Sequence, residues 1–302
     1  MSSLKHWLEL CRIPFLSVTV MPYILGAVLA SYLYGKFNLM VFLIGLSAAL
    51  LVQLSTHLTG EVYDIKEDRL SITLEKNFFS GGTGVLVENL IPQKKVKILT
   101  GVFIFLALFA GLILQFYFKT GKWTLALGIS GIICGFFYSK PPLRWVQRGI
   151  GEILIGYAFG WLAVVSGFYI QVSRFDNLPF LISLPVAFSI VNVILINEYP
   201  DYPADLQTGK RNILVRIGKE KAAKLYAALV VLSGLSFFLG LFKGLPGRSA
   251  LFYLPVLATA IVIAVFMVNG GYKDRIKLEK MCAATILVNL GTTLSCILGL
   301  LF

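Results

Sequence analysis

The sequence predicts an all-α fold: a polytopic membrane bundle of nine transmembrane helices, forming two related halves around a central cavity in a single domain, residues 1–302. Three observations predict it. The chain is 57% hydrophobic and only 14% charged, with a mean hydropathy of +0.82. A soluble domain is about 45–50% apolar and about 25% charged, so a water-soluble globule, a disordered tail and a secreted disulfide scaffold are all excluded. Segments of about 20 apolar residues, the length needed to cross hydrocarbon, recur along the whole chain. The basic residues, finally, alternate between heavily and lightly charged connections.

The apolar segments are 13–33, 39–59, 97–118, 123–139, 150–172, 178–197, 222–242, 250–269 and 281–302. They read as helices, because open strands would leave backbone groups unpaired in lipid and barrel strands would alternate apolar and polar residues. The first follows Lys5 and Arg12 as a signal peptide would, but it is too long for such a segment, so it reads as retained. Counted with their flanking residues, the N-terminus and the connections 60–96, 140–149, 198–221 and 270–280 hold 21 of the 27 Lys and Arg, and the alternate set holds 6. Basic loops stay in the cytoplasm. The expectation is an integral membrane protein, in the plasma membrane if prokaryotic, with a cytoplasmic N-terminus and an external C-terminus. The formal net charge of +12 is then a topological signal, and no nucleic-acid partner is expected. Cys11, Cys134, Cys282 and Cys296 form no CxxC pair, and His6 and His57 are too few for an imidazole metal cluster.

The second span ends Gly60-Glu61-Val62-Tyr63-Asp64-Ile65-Lys66-Glu67-Asp68, and the sixth ends Asn197-Glu198-Tyr199-Pro200-Asp201-Tyr202-Pro203-Ala204-Asp205. Both read Glu-x-x-Asp-x-x-x-Asp where an apolar helix meets a basic connection. The repeat suggests two related halves facing one another. The spacing i, i+3, i+7 places Glu61, Asp64 and Asp68, and likewise Glu198, Asp201 and Asp205, on one helical face. Like charges so close need a cation. Hard oxygen ligands favour Mg²⁺ or Ca²⁺, and Mg²⁺ takes one or two carboxylates and completes its shell with water and substrate phosphates. Two such faces converging would hold Mg²⁺ against a diphosphate. Pro200 and Pro203 predict a break in the second helix, with Asp205 in a turn.

Gln53, His57 and Glu61 form a polar stripe down the second span. Such a stripe either lines a cavity or bonds a neighbouring helix. Basic groups able to hold phosphate flank the carboxylates: Arg12 before the first span, Lys140, Arg144 and Arg148 after the fourth, and Lys210-Arg211 after the second motif. Gly81-Gly82-Thr83-Gly84 lacks the Lys-Ser/Thr of a P-loop and reads as a flexible loop.

On these residues the chain resembles the UbiA-type intramembrane prenyltransferases over nearly its whole length. That family's first motif, Asn-Asp-x-x-Asp-x-x-x-Asp, stands here as Gly60-Glu61-x-x-Asp64-x-x-x-Asp68, with Gly60 for Asn and Glu61 for Asp. Its second, Asp-x-x-x-Asp, stands as Asp201-x-x-x-Asp205. The segments Phe79–Leu86, Lys140–Arg144 and Arg148–Glu152 look most like the 1,4-dihydroxy-2-naphthoate branch. The resemblance implies Mg²⁺-dependent transfer of a polyprenyl chain from an allylic diphosphate to an aromatic acceptor, of the kind used in menaquinone biosynthesis, in contact with membrane lipid. It implies Glu61, Asp64, Asp68, Glu198, Asp201 and Asp205 as metal ligands. Arg12, Lys140, Arg144, Asn197, Lys210 and Arg211 are then substrate-binding. Asp64 and Asp201 are catalytic, and Tyr138 steadies an allylic cation through its ring face. The active site would open to the cytoplasm. Other acceptors, quinone or lipid, fit the same motifs. Two other classes fit more loosely: a transporter, whose site usually lies nearer the midplane, and a non-catalytic lipid-binding scaffold.

Overall fold

The computed structural model describes residues 3–74 and 81–302, and among them every regular element is helical. Phe79 and Ser80, part of one segment of resemblance, lie outside the described residues. The chain opens with α1 (Ser3–Cys11) and α2 (Ser17–Tyr34), separated by a break at Arg12, whose φ of 48° is in the left-handed region. α3 (Leu39–Tyr63) starts on Asn38, whose side chain accepts from the Val41 N–H at 3.1 Å, as an N-cap should. Then follow α4 (Ile65–Leu74), α5 (Gln93–Leu112), α6 (Thr124–Ser139), α7 (Gly151–Ile155) and α8 (Ala163–Val172). α9 (Asn177–Thr208), α10 (Ile213–Ile217), α11 (Lys219–Phe242), α12 (Ser249–Val268) and α13 (Arg275–Leu301) complete the bundle. α5 continues into a π-helical turn at Ile113–Tyr117, and another, Gly156–Leu162, joins α7 to α8.

Among the described residues eight helices are long and apolar enough to cross a membrane: Leu4–Tyr34, Leu39–Tyr63, Gln93–Tyr117, Gly151–Val172, Asn177–Thr208, Lys219–Phe242, Ser249–Val268 and Arg275–Leu301. The segment expected as the fourth span is the 16-residue apolar helix α6. At 1.5 Å per residue it is about 24 Å long, short of the roughly 30 Å hydrocarbon thickness. The expected connections 60–96 and 198–221 are also less loop-like than anticipated, since α4, the end of α9 and α10 fill much of them.

Pro200 and Pro203 do not end α9, which runs through both and keeps Asp205 helical. A proline leaves the carbonyl four residues earlier without its helical donor. Opposite Pro200 that carbonyl is Ile196 O, which accepts the Cys282 thiol of α13 at 3.8 Å. The kink-prone turn is held by its neighbour helix.

α9 is the central element, packing against α11, α13, α4 and the Gly156–Leu162 turn. Lipid tails are as apolar as leucine, so close packing and interhelical hydrogen bonds hold such a bundle, at about 0.6–2 kcal/mol per bond. Asn192 Nδ2 donates to Tyr226 O at 3.2 Å, Tyr226 Oη pairs with Thr285 Oγ1 at 2.8 Å, and Asn289 Nδ2 donates to Ser189 Oγ at 2.8 Å. α2 and α8 touch backbone to backbone, because a Cβ on Gly26 would lie 2.0 Å from Val164 O. Outward faces are apolar: Val262 is 68% exposed and Leu287 also 68%.

Candidate functional site

A cavity of about 410 Å³ runs between the helices. Its wall is mostly aliphatic and small, with Val18, Leu127, Ile132, Ala158 and Leu162 among its lining. Its polar end is built from both repeated motifs: Asp64 and Asp68 from the first, Asn197, Glu198 and Asp201 from the second, with Lys210 and Arg12 beside them. The repeated spacing therefore marks residues that line one cavity.

The first motif does not lie on one continuous helix. The chain leaves α3 at Asp64 (φ −102°, ψ 14°) and resumes helix at Ile65. Asp68 N still bonds Asp64 O at 2.9 Å, so the register survives the break. Glu61 is buried and accepts from Arg12 Nη2 at 2.7 Å and from the backbone and hydroxyl of Thr83. Asp64 accepts from Ser139 Oγ at 2.6 Å and Arg144 Nη2 at 3.1 Å. Asp201 accepts from Ser71 Oγ at 2.6 Å and the Gly81 N–H at 2.9 Å. Asp205 pairs with Lys210 at 3.3 Å and accepts from Asn212 Nδ2 at 2.8 Å.

The Gly81–Gly84 segment was expected as a flexible loop. Its N–H groups instead engage Asp201 and Glu61, so it bridges the two motifs. The polar stripe resolves in both of the ways open to it. Gln53 donates to Phe15 O at 2.8 Å, and His57 Nδ1 lies 2.9 Å from Cys11 O. These bonds reach carbonyls on either side of the break at Arg12, while both side chains also line the cavity.

Not every expected residue arrives. Lys140 turns its ammonium onto the Phe136 ring, 3.9 Å from the centroid, and does not line the cavity. Arg211 is exposed and does not line it either, its backbone carbonyl accepting from Arg216. Arg144 is near but committed to carboxylates, binding Asp64 and Glu67. Tyr138 does line the cavity. Residues to which the sequence assigned no role in the site include Ser71, Thr83, Ser139, Asn212 and Glu67. Asn212 and Ser139 adjoin residues already singled out, and Glu67 lies within the first motif. Ser71 carried no signal.

The electrostatics show an anionic surplus. Burial first, then Glu61 and Asp64, push the Asp68 carboxyl up to about 8. Burial likewise raises Asp64, against the pull of Lys210, Ser139 and Arg144. Burial alone would lower the Lys210 ammonium, but Asp205, Asp64, Asp201 and Glu198 together hold it well above its ordinary value. Among the described residues no three Asp, Glu, His or Cys side chains form a ready metal cage. The donor set nevertheless fits Mg²⁺, which needs only one or two carboxylates where phosphates complete the shell. Glu198 Oε2 and Asn197 Oδ1 are buried without a hydrogen-bond partner among the described residues, and both residues line the cavity.

Residues 19–286 match the model of the UbiA prenyltransferase family. The chain is 29% identical to 1,4-dihydroxy-2-naphthoate octaprenyltransferase of Bacillus subtilis, over 73% of this chain and 68% of that one. It is 27% identical to 2-carboxy-1,4-naphthoquinone phytyltransferase of Synechocystis, over 90% and 84%. A UbiA homolog from Archaeoglobus fulgidus, solved bound to GPP and Mg²⁺, shares the fold with a TM-score of 0.65 at 16% identity, over 97% of this chain and 99% of that one. An apo UbiA homolog from Aeropyrum pernix gives 0.69 at 17% identity, over 91% and 96%. With its paired carboxylate motifs at the mouth of one intramembrane cavity, the chain belongs to the UbiA prenyltransferase family and is a membrane prenyltransferase.

Proposed function

We propose that the chain transfers a polyprenyl group from an allylic diphosphate to 1,4-dihydroxy-2-naphthoate, forming a menaquinone precursor. The observation that carries this reading is the meeting of both carboxylate motifs at the polar end of one apolar cavity. The naphthoate relatives support the acceptor.

The diphosphate occupies the polar end, where Lys210 and Arg12 bind its oxygens and Asn197 orients it. Asp64, Asp68, Glu198 and Asp201, with Glu61 and Asp205 supporting, would hold Mg²⁺, which would supply neutralisation of the leaving diphosphate. Arg144 keeps Asp64 in place. The isoprenoid tail lies along Leu127, Ile132 and Leu162, where water is excluded from competing for the cation. The C–O bond breaks and its electron pair leaves with the diphosphate. The Tyr138 ring faces the resulting allylic cation. A ring carbon of the acceptor forms the new C–C bond and gives up its proton or carboxyl group. Lys140 and Arg211, away from the cavity, take no part in holding the diphosphate.

The test supplies membranes containing the protein with Mg²⁺, a polyprenyl diphosphate and either the naphthoate or 4-hydroxybenzoate. Prenylated naphthoate is expected. Prenylated benzoate alone would move the acceptor to another quinone branch, and diphosphate release without either product would point to a different nucleophile.

The N-terminus and the polar mouth face the cytoplasm in this reading, supported by the 21 of 27 basic residues on that side. Thr73→Cys and Arg216→Cys, each in a cysteine-free background, should resist an impermeant thiol reagent in intact cells. Labelling of either reverses the orientation.

A further inference from the structure

The same end of the bundle carries a second cavity that the prenyl-transfer site does not use. It measures about 680 Å³ and is lined by Tyr199, Tyr202, Lys219, Lys221, Tyr272 and Lys273, together with Ile217 and Leu278. α9 separates the two: Glu198 and Asp201 line the first cavity, while Tyr199 and Tyr202 line the second.

Three features converge there. The first is cationic. Lys221 and Lys273 are exposed and make no ion pair among the described residues, and Lys219 Nζ stands 4.9 Å from the Tyr202 ring centroid. Glu220 is the one acidic lining residue among those described. The second is a helix start. α11, 24 residues long, begins at Gly218 with no side-chain cap, and its first-turn residues Lys219, Glu220 and Lys221 line the cavity. The first N–H groups of a helix have no intrahelical acceptor and favour an anion. The third is a fixed aromatic wall. Tyr199 is buried and donates to Lys219 O at 2.7 Å, and its ring lies 5.1 Å from that of Tyr272. Tyrosines collect where membrane meets water; exposed Ile217 lines the cavity, and Ile276, also exposed, follows the lining residue Arg275 in sequence.

A soluble anion would need the cations but not the apolar rim. An anionic lipid uses both, and basic pockets between membrane helices bind lipid headgroups. We propose that this cavity binds the phosphate headgroup of an anionic phospholipid, seated on the start of α11 between Lys219, Lys221 and Lys273. Because Tyr199 ties α9 to the first residue of α11, an occupied site braces the helix end that carries Asp201 and Asp205.

The experiment uses the full chain, delipidated in neutral detergent and titrated with short-chain phosphatidylglycerol. Bound lipid is read by intact-complex mass spectrometry and by the thermal midpoint. Phosphatidylglycerol should bind as a retained adduct and raise the midpoint, and phosphatidylcholine should do neither. Lys221→Gln/Lys273→Gln should bind it roughly 30-fold more weakly, from the loss of two cations near an anionic headgroup. Lys94→Gln/Lys95→Gln removes equal charge from exposed positions and should bind as the unaltered protein does. Undiminished binding by the first variant, or equal loss in the second, overturns the site. An equal midpoint shift from inorganic phosphate overturns the lipid and leaves a free-anion site.

Discussion

Arg12 Nη2 and Glu61 Oε1 meet at 2.7 Å, joining the break between α1 and α2 to the C-terminal end of α3. Glu61 is longer than the Asp that the family motif carries there, and it uses the extra reach to hold Arg12 and Thr83 together. Breaking a buried pair by removing one partner costs about 3–5 kcal/mol. The Arg12 side chain is 34% exposed, so solvent screens part of it, and Arg12→Ala should cost about 1–3 kcal/mol. Adding Glu61→Gln should restore part of that, because no uncompensated charge remains. Thermal midpoints in detergent decide it, and a double variant less stable than Arg12→Ala would refute the pairing argument.

Asp64 and Asp201 come from the two motifs and line the same cavity end. Each makes a short bond from a serine, Ser139 and Ser71 respectively, which an asparagine oxygen can still accept. Asp64→Asn and Asp201→Asn should therefore insert and fold, yet lose about 10²-fold or more in turnover through lost electrostatic stabilisation. Chelation of divalent cations should abolish activity in the unaltered protein. Turnover undiminished in either variant, or in chelator, would remove the metal–diphosphate mechanism.

Asp176 accepts from Tyr34 Oη and from the Leu178 N–H, capping α9. The Tyr34 hydrogen bond first, and the backbone bonds after it, hold its carboxyl below the usual range against burial. A carboxyl lowered in the folded state adds stability above its unfolded value, about 3.9, and that stability disappears as pH falls through the lower folded value. The thermal midpoint should thus fall more steeply below pH ~4 than it does in Asp176→Asn. At neutral pH that variant still caps the helix through its amide oxygen, and it should cost about 1 kcal/mol because the Tyr34 hydroxyl then donates to a neutral group in place of a charged one. Parallel pH profiles would show that Asp176 carries none of the acid sensitivity.

How much of this could be read in advance depended on how local the cause was. The spans follow from runs of apolar residues, and Glu61, Asp64, Glu198 and Asp201 follow from a repeated spacing. What depended on a tertiary partner did not follow. Pro200 looked like a helix end because the Cys282 thiol that donates to the Ile196 carbonyl is remote in sequence. Lys140 and Arg144 look equivalent in a basic run, yet one lies on Phe136 and the other on Asp64. Ser71 bonds Asp201 from 130 residues away, which no motif records.

Gly82 lies against Asp68 so closely that a Cβ there would stand 2.0 Å from Oδ2 and 2.4 Å from Cγ. Asp68 is itself buried, so its carboxylate cannot simply swing into water. Gly82→Ala must move either that carboxylate or the segment that joins Asp201 to Glu61 through Gly81 and Thr83. A misplacement of about 1 Å at a reacting centre can cost 10²-fold, so turnover should fall by about that factor. Overpacking of this kind costs about 1–3 kcal/mol in stability, too little to empty the membrane of folded protein. Gly101 is the control: it lies on α5 with nothing within 4 Å of an added Cβ. Gly101→Ala should keep full turnover and gain about 0.5–1 kcal/mol from the helix preference for alanine. Turnover measured beside thermal midpoints separates the two effects, and a Gly82→Ala protein that works at the normal rate would show that the contact with Asp68 has no part in placing the carboxylates.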